Sequence, residues 1–129
     1  MTSLKDKAPI CGKCKTVLAL HDGVNEVKAT ALSILIQKSP LPVVVDFWAP
    51  WCGPCLKFAP TFKLANKSLR GKVVLAKVNT EANPAVGNQY HISGIPTVAI
   101  FAKGIERARQ SGAMQLEPFV QWVESVVDK

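Results

Sequence analysis

Sixteen Lys and Arg against nine Asp and Glu give the 129 residues a formal charge of +7, with 48% of them hydrophobic and 19% charged. That balance belongs to one globular domain that buries about two thirds of its unfolded surface without needing a disulfide or a metal, and it excludes disorder over the whole length. No apolar run nears the roughly 18 residues of a membrane span, and Lys5, Asp6, Lys7 and Pro9 interrupt the place of a secretory signal, so the expected address is the cytoplasm.

Residues 1–25 read as a basic N-terminal arm with little periodicity, and 26–129 as the folded domain. Residues 28–38 carry Leu32, Leu35 and Ile36 at helical spacing, and Pro40 and Pro42 forbid continuation. Val43 to Trp48 is an apolar run of strand length, of the kind covered on both faces, and only Asp46 interrupts it. Further on, Phe58, Phe62, Ala65 and Leu69 mark one face of a helix that contains Pro60 and ends at Gly71. A strand over 73–78 follows, then a helical turn from Asn83-Pro84 to Tyr90. Thr97 to Ala102 and 106–111 form a hairpin about Lys103-Gly104, and a last helix carries Leu116, Phe119, Val120, Val123, Val126 and Val127. Strands alternating with helices and closed by a hairpin predict an α/β fold with a mixed central sheet flanked by helices on both faces.

The four cysteines form two C-x-x-C pairs, Cys11/Cys14 and Cys52/Cys55. Cys52 follows a buried-type strand and opens a helix, where unpaired backbone N–H groups and the helix dipole favour a thiolate. Cys55 lies one turn on, in reach of a mixed disulfide formed at Cys52, while Gly53 permits close approach and Pro54 stiffens the turn. The pair therefore reads as a redox couple with Cys52 as nucleophile and Cys55 as resolving thiol. The competing reading is half of a zinc site, but no second Cys or His pair stands at a suitable spacing, so no metal is expected there. Asp46, in an apolar strand and six residues before Cys52, is expected to have a raised pKa and to accept a proton from Cys55, directly or through one water. The blander alternative is a buried carboxyl satisfied by local donors.

The segment Asp46-Phe47-Trp48-Ala49-Pro50-Trp51-Cys52-Gly53-Pro54-Cys55 resembles the active site of the thioredoxin family. The likeness extends to Pro60, Lys77, Ile95-Pro96-Thr97 and Gly112, and covers about residues 28–129 in register. It implies a thioredoxin fold and a protein-disulfide reductase cycling Cys52 and Cys55, with no organic cofactor, a potential near about −270 mV, and recharging by a thioredoxin reductase. It also implies a Lys77 ion pair with Asp46, set against a merely solvated lysine. A shallow groove of Trp51, Gly53, Pro54, Ile95, a cis Pro96 and Gly112 would hold an extended disulfide-bearing protein segment. In that groove Trp51 has a core role as its alternative, and Pro96 and Gly112 have loop and turn roles as theirs. The expected molecule is a monomer in redox homeostasis and electron transport. Its rivals are an exported dithiol oxidase or isomerase and a non-enzymatic scaffold.

Between Phe47 and Thr80 stand six basic residues, Lys57, Lys63, Lys67, Arg70, Lys72 and Lys77, and no acidic one. The expected positive field favours the Cys52 thiolate and acidic partners, and the absence of a reader helix or an aromatic-interleaved basic motif argues against nucleic acid. Pro50 and the N-terminal pair are similar to the second bacterial thioredoxin type, whose N-terminal zinc module has two such pairs where this chain has one. Cys11 and Cys14 with His21 fall short of four zinc ligands, leaving a zinc half-site, a second redox pair or a remnant without chemistry, and the last is the expectation. Deleting residues 1–20 should then leave fold and disulfide reduction intact, with substoichiometric zinc in the purified full chain. One tightly held zinc per chain by elemental analysis, lost together with thermal stability on chelation, would reverse that expectation.

Overall fold

The computed structural model describes residues 24–128. Cys11, Cys14 and His21, with the readings attached to them, lie outside those residues. The order is β1 (Val24–Glu26), α1 (Ala29–Lys38), β2 (Val43–Trp48), α2 (Gly53–Leu69), β3 (Val74–Asn79), α3 (Pro84–Gln89), β4 (Thr97–Ala102), β5 (Ile105–Ser111) and α4 (Leu116–Val127). The sheet runs β1-β3-β2-β4-β5, with β1, β3 and β2 parallel and β4 and β5 antiparallel to their neighbours.

β2 occupies the middle because its residues are apolar towards both faces, and its side chains divide by the period of two. Val43, Val45 and Phe47 face Leu32, Leu35 and Ile36 of α1 and Val86 of α3. Val44 faces the opposite way, onto Phe58, Phe62, Ala65 and Leu69 of α2 and Phe119 and Val123 of α4. Both helical stripes read from the sequence are the buried stripes. Phe119 meets Phe58 edge-on at 5.2 Å between ring centroids and Phe62 at 5.8 Å, locking α4 across α2.

Three differences from the sequence reading have local causes. β1 lies across the expected boundary between residues 25 and 26, so Val24 and Asn25 belong to the sheet, and Asn25 Nδ2 donates to the Leu75 carbonyl at 3.1 Å. Three residues are too few to show a period. β3 is displaced one residue, to Val74–Asn79, because Asn79 keeps pairing with Trp48 before its side chain accepts the Glu81 and Ala82 N–H groups and turns the chain. β5 starts at Ile105 because Lys103 (φ 54°) and Gly104 (φ 79°) both take positive φ, as a tight two-residue hairpin turn requires.

Phe119→Ala should cost about 3–5 kcal/mol of unfolding free energy, since the ring is fully buried at the junction of α2, α4 and the sheet. Ile105, 57% exposed, should cost less than about 1 kcal/mol when truncated to Ala. Urea denaturation of the two variants tests the contrast.

Candidate active site

Where β2 ends, the chain turns through Ala49, Pro50 and Trp51 and enters α2 with Cys52 as its N-cap. The Cys52 N–H donates to the Ala49 carbonyl at 3.1 Å, and the Cys55 N–H donates to Cys52 Sγ at 3.2 Å. Sulfur thus occupies the capping position usually held by a Ser or Asp oxygen, a setting that stabilises negative charge at Sγ. Pro54 sits in the first turn, where its missing N–H leaves no intrahelical bond unmade. Cys52 and Cys55 are joined as a disulfide, with Cα atoms 5.2 Å apart. Cys52 retains 5% exposure and Cys55 only 1%, so an incoming sulfur meets Cys52 first.

The second wall comes from the loop before β4. The Ile95–Pro96 peptide is cis, and the Ile95 carbonyl oxygen lies 3.7 Å from Cys52 Sγ. Ile95 packs with Ala49, Trp48 and the two cysteines. The Gly112 N–H donates to the Pro96 carbonyl at 2.8 Å, and Gly112 adopts φ 95°, a conformation that glycine takes without strain. The loop and the start of the last connection are therefore tied together beside the disulfide. Trp51 is 70% exposed and so is not a core residue. Gly53 and Pro54 are also exposed, and Pro96 is buried.

Asp46 lies on the α2 side of β2, two residues beyond Val44, and is fully buried. Among the described residues, neither of its carboxyl oxygens has a hydrogen-bond partner. Burial therefore pushes its pKa up from 3.8 to about 7, with the positive Lys77 opposing the rise and Glu26 adding to it. Among the described residues no donor satisfies the carboxyl. Lys77 is the register partner of Asp46 on β3, but the expected ion pair is not a hydrogen-bonded one. Instead its Nζ stands 4.5 Å from the centroid of the Trp48 ring.

Glu26 is a member of this group that sequence reasoning misses. It pairs in register with Lys77 from the outer strand, and its Oε2 accepts the Trp48 indole N–H at 3.3 Å. No local signal marks it, because its place depends on β1 lying next to β3. The run of basic residues is also less uniform than its sequence suggests: Glu26 enters it, and Lys72 binds Glu124 at 2.8 Å.

A thioredoxin family model matches residues 23–125. The chain is 39% identical over 116 residues to thioredoxin C-3 of Corynebacterium nephridii, covering 90% of this chain and 79% of that one. It is 35% identical over 103 residues to the thioredoxin of Rickettsia felis, covering 80% of this chain and 98% of that one. Among solved structures, chloroplastic thioredoxin z superposes with a TM-score of 0.76 at 27% identity, over 83% of this chain and 96% of that one. A point-mutant thioredoxin from Halobacterium salinarum NRC-1 gives 0.74 at 26%, over 84% and 95%. With a C-x-x-C disulfide capping a helix at the end of the central strand, and this match along nearly the whole described fold, the chain belongs to the thioredoxin family of protein-disulfide reductases.

Proposed function

We propose that Cys52 attacks a substrate disulfide and that Cys55 resolves the resulting mixed disulfide with help from Asp46. The observation that carries this division is the asymmetry of the two sulfurs: Cys52 Sγ accepts the Cys55 N–H at the helix N-terminus and keeps some exposure, while Cys55 is closed off beneath it. In the reduced protein the Cys52 thiolate bonds to one substrate sulfur, and the other substrate sulfur leaves as a thiolate. Cys55 then gives its proton to Asp46, and its thiolate bonds to Cys52 Sγ. The substrate sulfur that Cys52 had bound leaves with the electron pair of the broken bond. Two electrons reach the substrate, and Cys52 and Cys55 end as the disulfide.

Asp46 suits the acceptor role because, with a pKa of about 7, it is part-ionised at neutral pH and holds a transferred proton without a large energetic gap. Lys77 moderates that pKa through its charge. Substrate recognition falls to the shallow surface of Trp51, Gly53, Pro54, Ile95, Pro96 and Gly112, where an extended segment of a disulfide-bearing protein lies beside Cys52. We assign the return to the dithiol to a thioredoxin reductase, and place the protein as a cytoplasmic monomer that carries electrons for redox homeostasis. No helix among the described residues is long and apolar enough to cross a membrane.

Cys52→Ser should abolish reduction of insulin disulfides, and Cys55→Ser should still attack and accumulate mixed disulfides through Cys52, visible as bands that dithiothreitol dissolves. Trapping through Cys55 in the Cys52→Ser variant would reverse the two roles.

Asp46→Ala should slow reduction at pH 7 by on the order of a hundredfold or less, the low end of what a positioned base contributes, and should remove an inflection near pH 7 from the rate profile. Stability should move the other way. Between pH 3.8 and about 7 the native carboxyl keeps a proton that the unfolded chain releases. Wild-type stability therefore falls as pH rises through that window, by on the order of 4 kcal/mol. The stability gained by Asp46→Ala should be greatest above pH 7 and shrink towards pH 4, as measured by denaturant titration across pH. A pH-independent difference would separate the stability effect from ionisation of Asp46.

A further inference from the structure

Across the α2 side of the sheet, Glu26 of β1, Lys77 of β3 and Asp46 of β2 stand in one register row, so the lysine has a carboxyl group on each neighbouring strand. Only one of the two carboxyls is wet. Glu26 and Lys77 line an open groove with Val24, Leu56, Pro60 and Lys63, whereas Asp46 is fully buried, both its oxygens without a partner among the described residues. The Lys77 ammonium lies over the Trp48 ring, whose N–H is held by Glu26 Oε2. An indole that donates to a carboxylate carries a more electron-rich ring, and such a ring holds a cation more firmly.

We propose that Glu26 is a positioning residue for the dithiol reaction: by fixing the Trp48 indole and attracting Lys77 towards the groove, it withholds the ammonium from a hydrogen-bonded pair with Asp46 and keeps the buried carboxyl a proton acceptor. This rests on the reading of Asp46 as the acceptor. A direct contact with Lys77 would favour the ionised carboxylate and lower its pKa by roughly 1–3 units, leaving it too weak a base to take a proton from Cys55 near neutral pH. Among the described residues, β1 brings Glu26 and β3 brings Lys77 beside Asp46, α2 brings the Cys52–Cys55 pair at its N-terminus, and Lys63, Lys67 and Arg70 stand across the groove. On that face β4 brings Val98 and Ile100, and α4 brings Phe119 and Val123, none of which is charged. Among the described residues, Glu26 is therefore the acidic group placed to compete for Lys77.

The test is Glu26→Gln, which keeps an oxygen for the indole N–H and removes the charge. In the reduced full chain, the carbon-13 shift of the Asp46 carboxyl followed against pH should show its midpoint lowered by roughly half a unit or more, with the rate profile of insulin reduction displaced the same way. Glu26→Asp, which keeps the charge, should restore most of the wild-type midpoint, and in a Lys77→Met background Glu26→Gln should shift it by less than half as much. An unmoved midpoint in Glu26→Gln, or an equal shift with and without Lys77, would overturn the proposal. Undiminished turnover in Asp46→Asn would instead remove the acceptor role, a separate failure that leaves the carboxyl titration readable.

Discussion

A carboxyl without a hydrogen-bond partner among the described residues stands in the middle strand of the sheet, and the arrangement around the disulfide follows from accommodating it. Burying an ionised carboxylate unaided is prohibitive, so the group must hold a proton or be offset by charge. Here both occur in part: the pKa rises to about 7 and Lys77 stands on the adjacent strand. Apolar side chains enclose the group, and the helix that covers this face of the sheet begins at the disulfide. A packed core normally excludes proton chemistry. This one keeps a proton-holding group beneath the helix whose first turn contains Cys55.

The redox pair owes its inequality to helix geometry. A residue at an N-cap has its side chain beside the free N–H groups of the first turn, and a residue three positions on points back under the helix. Cys52 and Cys55 take those two places, which leaves one sulfur capped by the Cys55 N–H and the other the more deeply buried of the two. The loop carrying Ile95 and Pro96 then closes the remaining side, its carbonyl next to Cys52 and its own conformation tied to Gly112. Trp51, in the turn before Cys52, stays exposed.

Legibility in the sequence follows the length scale of each signal. The hydrophobic run of β2 and the four-three-four spacing of α2 are local patterns, and both appear as core with Asp46 as the buried exception. The cysteines are legible because strand, turn and helix follow one another without interruption. β1 is not, since Val24–Glu26 offers one apolar residue, and its buried Asn25 bonds to Leu75, fifty residues later. Missing β1 means missing Glu26. The place of Lys77 is half legible: its strand shows in the apolar pattern, but its orientation over Trp48 depends on a side-chain competition that a linear pattern does not encode.

The two margins of the sheet are guarded in different ways. Among the described residues β1 offers three positions for pairing, and β5 ends the other side with Glu106, Arg107 and Arg109 along it and a register shift opposite Ile100 and Phe101. Short or charged margins discourage unintended strand addition. A long, unguarded flank would recruit extended chains along its whole length and aggregate with them. With both of these margins blunted, strand addition along either flank of the described sheet is disfavoured.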